Sequence, residues 1–284
     1  MNSASKGKIK AAMKHNDAVN SRNKAFALKN RYGFTDINHT YVKPDSVFRI
    51  AVLGDSFVWG DGLPYEQVWS HKLAEMLGKQ YKNIEVMHWG INGWSTKDEF
   101  SFYLKEGRKY QPDLLIIGYV NNDADLGNIP QRQYIWRVRL HFLERIFPNI
   151  MNGVWNIVYD DSYAEWNQKL HRPENLKAYG KFLDTVNATL NADKLSHFMV
   201  MTSTCGDEYG YKEYVQALPY IKQAGFEVLE VIDAYRAKFK GIDCSQLQAS
   251  AINGHPGPRV TEFIAEEVLK YINDTRKIPD TFRR

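Results

Sequence analysis

The sequence is organised around residues 48–57, which read FRIAVLGDSF. The apolar run from Ile50 to Leu53 predicts a buried β-strand that ends at Gly54 and delivers Ser56 into a turn. A serine at the carboxyl end of a first parallel strand lies where open α/β sheets build their sites. For an isolated Gly-Asp-Ser the alternative interpretation is a hydroxyl that only hydrogen-bonds its own turn. The rest of the chain decides between the two.

Strand-like and helix-like patterns alternate along the remaining sequence. Four further segments predict strands: residues 83–89, 112–119, 198–202 and 226–232. The helical patterns between and after them are residues 69–77 stopped by Gly78, a capped helix from Ser95, residues 176–190, residues 211–224 kinked or split by Pro219, and residues 260–272. Such alternation predicts one doubly wound parallel sheet, with a loop before the last helix.

The composition is that of an ordinary soluble globular protein of 284 residues. No window approaches ~18 consecutive apolar residues, and the amino terminus lacks the apolar stretch of a secretory signal. The sequence alone therefore favours a cytoplasmic protein, although an exported or anchored parent remains compatible with it. The two cysteines, Cys205 and Cys244, have no metal-type spacing and could be two buried thiols or one disulfide.

The positive charge is concentrated at the amino terminus. Residues 1–31 carry eight Lys or Arg against one Asp, a net charge of +7, whereas the whole chain has +4. Residues 1–30 are therefore predicted to be a basic appendage, with solvated helix or contact with an anionic membrane surface as the two interpretations. The globular body, residues 31–284, carries no nucleic-acid-binding signature. Within it, residues 124–172 are rich in aromatic and basic residues and predict a helical insertion over the edge of the sheet.

Polar or glycine residues follow the predicted strands and the last loop in the order Ser56, Gly90, Asn122, His255. The ends of parallel strands lie on one edge of a sheet, so these residues are expected to converge. Acyl transfer needs a nucleophile, a base and donors for an oxyanion. Ser56 can supply the nucleophile and His255 the base. The main-chain amides of Ser56 and Gly90 and the side-chain amide of Asn122 can supply the donors, with a glycine at 90 leaving its amide open to substrate.

This ordered set resembles the SGNH/GDSL hydrolase superfamily over roughly residues 31–273. The four blocks are Gly54-Asp55-Ser56-Phe57, Trp89-Gly90-Ile91-Asn92-Gly93, Asn121-Asn122-Asp123 and Gly254-His255-Pro256. Phe57 replaces the usual leucine, and Val120 replaces the usual glycine of the third block. The resemblance implies a flavodoxin-like, three-layer α/β/α sandwich with a five-stranded parallel sheet. It also implies ester hydrolysis or acyl transfer, and it is closest to bacterial members with a long insertion before the fourth strand.

One departure from the family concerns the acid of the triad. The aspartate that normally precedes the histidine by two or three residues is replaced here by Asn253 and Ile252. That aspartate fixes the imidazole tautomer and stabilises the imidazolium. Three interpretations stay open: Asn253 or a backbone carbonyl orients His255, a distant acid such as Asp243 reaches it, or the site is impaired and serves binding.

The sequence thus supports two functional hypotheses. The first is a serine esterase or O-acyl transferase acting on an acylated small molecule or glycan, with acetyl on a carbohydrate favoured. The second is a catalytically impaired module of the same fold that binds a glycan or a partner. A flavodoxin-like cofactor binder is disfavoured because the first turn lacks a Gly-x-Gly-x-x-Gly fingerprint. No cofactor, metal or nucleic-acid partner is predicted.

Overall fold

The structure, a computed structural model, describes residues 29–129, 146–147, 162–203, 211–250 and 253–284. Five parallel strands form the main sheet, in the order β2-β1-β3-β4-β5. They are β1 (Phe48–Gly54), β2 (Ile84–Gly90), β3 (Leu114–Tyr119), β4 (Ser196–Met201) and β5 (Val228–Glu230). The doubly wound, flavodoxin-like sheet predicted from the sequence is confirmed.

Helices cover both faces of the sheet. They are α1 (Ser56–Trp59), α2 (Trp69–Gln80), α3 (Thr96–Lys105), α4 (Ser162–Leu170), α5 (Pro173–Ala192), α6 (Tyr211–Gln223), α7 (Ile232–Lys238) and α8 (Pro258–Asp274). Short 3-10 turns occupy Tyr65–Gln67, Gly107–Tyr110, Asn121–Ala124, Cys244–Gln246 and Asp280–Phe282. Side chains of β1 alternate between the two resulting cores. Ala51 and Leu53 pack with α3 and α5, and Ile50 and Val52 pack with α2 and α8.

The helix boundaries differ from the prediction at two positions. Gly78 lies inside α2, which continues to Gln80 and ends where Tyr81 turns into extended backbone and is buried. Pro219 lies inside α6 without splitting it. A proline there lacks the N–H that would donate to the carbonyl of Val215, so the helix continues with one hydrogen bond fewer.

A second, two-stranded antiparallel sheet precedes the last helix, where the sequence predicts only a loop. Its strands are β6 (Gln248–Ser250) and β7 (Asn253–Pro256), and together they are called the histidine hairpin below. Strands of three and four residues are too short to show a periodic pattern in the sequence. His255 therefore lies on a strand.

Several sequence predictions fall largely outside the described residues. They are the appendage at residues 1–30, most of the insertion at residues 124–172, Cys205 and Ile252. Cys244 is disulfide-bonded. Within the part of the chain that the structure describes, every helix is too short or too polar to cross a membrane.

Candidate active site

The first component of the site is the serine turn, residues 54–62, at the carboxyl end of β1. The carboxylate of Asp55 accepts the backbone N–H of Phe57 at 2.9 Å and caps α1. Gly60 ends α1 in the left-handed region (φ +81°), and the backbone N–H groups of Gly60 and Asp61 both donate to the carbonyl of Ser56. Ser56 is thus held at the amino terminus of a single helical turn.

Gly90 ends the neighbouring strand and lies beside Gly54 in the register of β1 and β2. A Cβ at position 90 would come within 2.5 Å of the backbone nitrogen of Trp59 and 2.7 Å of the carbonyl carbon of Val58. Glycine is therefore required there so that α1 can pack directly on the end of β2. This differs from the reason given by the sequence, which was access of substrate to the amide.

The histidine hairpin brings His255 to the serine turn. Nε2 of His255 lies 2.8 Å from Oγ of Ser56, although the two residues are 199 positions apart. Gly257, directly after β7, is hydrogen-bonded to the residue that precedes β6. Its N–H donates to the carbonyl of Leu247 at 2.7 Å. A Cβ at 257 would meet the carbonyl oxygen of Gln248 at 2.5 Å, so this close approach also needs glycine.

Asn253 contacts the other nitrogen of the imidazole. Its Oδ1 lies 2.6 Å from Nδ1 of His255 and also accepts the backbone N–H of His255 at 3.1 Å. Because that N–H requires an acceptor, the amide must turn its oxygen, and not its NH2 group, towards the ring. Nδ1 therefore carries the proton, and Nε2 is left to accept the proton of Ser56.

The other two groups considered for orienting His255 are not used. Asp243 is exposed and accepts the backbone N–H and hydroxyl of Ser245, so it caps its own short turn. Among the described residues, the acceptor that faces Nδ1 is the side-chain oxygen of Asn253 and not a backbone carbonyl. The suggestion that Asp243 reaches His255 is therefore wrong.

Asp61 is an acid of the site that the sequence analysis missed. Its Oδ2 lies 3.6 Å from Nδ1 of His255 and accepts the side-chain N–H of Asn92 at 3.1 Å. Its position between Gly60 and Gly62, in the glycine-rich turn that begins a few residues after the serine, was the signal available in the sequence.

Asn122 lies on the 3-10 turn that follows β3. Its Nδ2 donates one hydrogen bond to the carbonyl of Trp94 at 2.7 Å. The amide group has two N–H donors, so this contact fixes its orientation and leaves the second donor for another acceptor. The following residue, Asp123, accepts the backbone N–H of Val120 at 2.6 Å and stabilises the turn itself.

Three carboxyl groups are buried behind the serine. Burial raises the pKa of Asp55, although its hydrogen bond from Phe57 and the charge of His255 oppose the shift. Burial also raises the pKa values of Glu99 and Asp123 well above their ordinary range, and the charge of Asp55 adds to both shifts. The interior behind the site therefore favours the protonated forms of Glu99 and Asp123, because it disfavours adjacent negative charges.

The hydroxyl of Ser56 has two neighbouring acceptors. Oδ2 of Asp55 lies 3.1 Å from Oγ, compared with 2.8 Å for Nε2 of His255. One hydroxyl proton serves one of them at a time, and the shorter contact is to the imidazole. Among the described residues, no group of three or more His, Cys, Asp or Glu side chains is arranged to hold a metal ion.

A serine hydroxyl hydrogen-bonded to an imidazole at the carboxyl edge of a parallel sheet is an arrangement typical of serine hydrolases. The family model described as GDSL-like Lipase/Acylhydrolase matches residues 50–135, which contain three of the four sequence blocks. The match confirms the resemblance to the SGNH/GDSL hydrolase superfamily over these residues.

Solved structures share the fold at low sequence identity. A lipase/acylhydrolase from Enterococcus faecalis is 14% identical, with a TM-score of 0.51 over 81% of this chain and 97% of that one. A catalytic mutant of an acetylxylan esterase from Geobacillus stearothermophilus is 17% identical, with a TM-score of 0.50 over 81% of this chain and 96% of that one. No curated protein matches the chain significantly.

Proposed function

We propose that the protein is a serine esterase or O-acyl transferase that acts on an ester-linked acyl group. The observation that carries the proposal is the 2.8 Å contact between Oγ of Ser56 and Nε2 of His255, on an imidazole whose Nδ1 is bonded to the oxygen of Asn253. This is the protonation pattern that a general base needs in order to accept a hydroxyl proton.

In the proposed mechanism, Ser56 attacks the carbonyl carbon of the ester while Nε2 of His255 takes the hydroxyl proton. The developing oxyanion is bound by the main-chain amides of Ser56 and Gly90 and by the side chain of Asn122. His255 then returns the proton to the leaving alcohol, which leaves an acyl group on Ser56. Water or a second hydroxyl group, activated by the same imidazole, releases the acyl group and regenerates the serine.

The substrate proposed for the site is an acetylated carbohydrate. An acetyl ester on a carbohydrate is the favoured substrate, because the sequence carries an aromatic insertion and a structural neighbour is an acetylxylan esterase.

The test compares the protein with Ser56→Ala on p-nitrophenyl acetate and on an acetylated xylo-oligosaccharide. We expect Ser56→Ala to lose at least about 1,000-fold in kcat/KM, since it removes the nucleophile. Equal rates for the two proteins would refute the catalytic role of Ser56. Retained binding of the oligosaccharide, without turnover, would instead support the alternative of a catalytically impaired binding module.

A further inference from the structure

In a serine–histidine–aspartate triad the aspartate has two functions: it fixes the imidazole tautomer, and its charge stabilises the imidazolium that forms when the serine is deprotonated. Asn253 can perform only the first function, because an amide carries no charge. In the part of the chain that the structure describes, two acidic side chains interact with His255. Asp55 interacts with it electrostatically from the serine side, and Asp61 lies 3.6 Å from Nδ1.

The geometry points to a division of the two functions between two residues. We propose that Asp61 is a positioning residue that supplies the negative charge for the His255 imidazolium, while Asn253 fixes the tautomer. This inference rests on the proposed function, and it deepens it by naming the residue that compensates for the missing acid. Asp61 acts through His255 and need not touch the substrate.

The position of Asp61 is built into the serine turn. Its backbone N–H donates to the carbonyl of Ser56 at 3.1 Å, and its carboxylate is held by the side-chain amide of Asn92 at 3.1 Å. The side chain is 14% exposed, so water screens its charge only in part. At 3.6 Å the contact with Nδ1 is longer than a hydrogen bond, which leaves Asn253 as the hydrogen-bond acceptor and Asp61 as the source of charge.

The neighbouring glycine permits both residues to reach the same nitrogen. A Cβ at Gly62 would lie 2.5 Å from Nδ2 of Asn253. The side chain of Asn253 therefore lies directly over the backbone next to Asp61. The acid that is absent from the histidine hairpin is thus replaced, in space, by an acid from the serine turn.

The test is a double-mutant cycle of Asp61→Asn and Asn253→Asp, measured as kcat/KM on p-nitrophenyl acetate. Asp61→Asn alone should lose roughly 10- to 100-fold, because the imidazolium that forms in the transition state loses a neighbouring negative charge. Adding Asn253→Asp should recover most of that loss, because a carboxylate at 253 can accept both N–H groups of His255 and also carry the charge. Loss without recovery would indicate that Asp61 only holds the turn, and would overturn the proposal.

A second readout does not depend on turnover. In NMR spectra of the His255 ring recorded against pH, Asp61→Asn should disfavour the imidazolium form, and the double variant should restore it. Asp55 is present in every variant and cancels in the comparison. An unchanged midpoint would overturn the proposal even if activity fell.

Asp243→Asn is the matched control, since it removes an equal charge from an exposed site and keeps the cap of its short turn. It should leave both the rate and the His255 midpoint unchanged. A wild-type protein without Ser56-dependent turnover would refute the proposed function, while the titration would still decide the role of Asp61.

Discussion

The serine turn and the histidine hairpin meet at one hydrogen bond, but they are held in place by different interactions. The serine turn continues a fully buried central strand and packs on the end of β2 through Gly90. The histidine hairpin is a pair of short strands outside the main sheet, on which His255 is 28% exposed. The base is thus placed by a few polar contacts, and the candidate nucleophile by the core of the protein. Substitutions on the two sides should therefore have different effects.

The largest effect should come from Gly90→Ala, which disturbs the packing of the serine turn. The added Cβ would meet main-chain atoms of α1 that cannot rotate away. We expect a loss of roughly 3 kcal/mol in unfolding free energy, and a fall of about 100-fold or more in kcat because the hydroxyl of Ser56 is displaced. Urea unfolding and steady-state kinetics measure the two quantities.

Gly78→Ala is the matched control for that prediction, because a Cβ at this position in the last turn of α2 meets nothing within 4 Å. It should raise stability by about 1 kcal/mol, as expected for a glycine in a helix interior, and leave the rate unchanged. If Gly90→Ala behaved like Gly78→Ala, the packing argument for the serine turn would be wrong.

The difference between the serine turn and the histidine hairpin also explains which parts of the site could be predicted from the sequence. Strand β1, its glycine stop and Ser56 are adjacent in sequence, so an apolar run and a turn signal were sufficient to place them. The four blocks also indicated the convergence of Ser56 with His255. The contact of Asn253 with Gly62 and the approach of Asp61 to His255 join segments about 190 residues apart, and a three-residue strand leaves no periodic signal. The hairpin and the charge of Asp61 therefore needed the structure.

Low pH should reduce the stability of the buried side of the site. Gly60 of the serine turn packs on Val68, just before α2, and α2 carries the buried His71. Burial lowers the pKa of His71 to about 4 from 6.5, although the hydrogen bond from Nε2 to the carbonyl of Thr35 opposes the shift. The unfolded chain takes up this proton more readily. Stability is therefore complete above pH 6.5 and falls as the pH drops towards 4, by about 3 kcal/mol.

The measurement is unfolding free energy between pH 7 and pH 4.5 for the protein and for His71→Gln, in which this loss should be absent.

His39 provides a control of opposite sign. Burial lowers its pKa, but the hydrogen bonds and charges of Asp36 and Glu85 outweigh burial and raise it. The contribution of His39 is therefore present below pH 6.5 and is lost as the pH rises through its raised pKa, so His39→Gln should cost most at low pH. A His71→Gln protein with the pH dependence of the parent would contradict the assignment.

The smallest effect should come from Gly62→Ala, which disturbs the histidine hairpin while the core stays intact. Gly62 has φ +82°, and its added Cβ would push on Nδ2 of Asn253. We expect a loss of about 1 kcal/mol in stability from the backbone strain. A shift of Asn253 weakens the contact that fixes the tautomer of His255, so kcat should fall by about 10-fold.

Gly241→Ala separates the two effects, because Gly241 has a similar φ of +76° and an added Cβ there would meet nothing within 4 Å. It should lose the same stability and keep full activity. Equal rates for the two variants would mean that the hairpin tolerates displacement of Asn253, and that the orientation of His255 depends on its contacts with the serine turn instead.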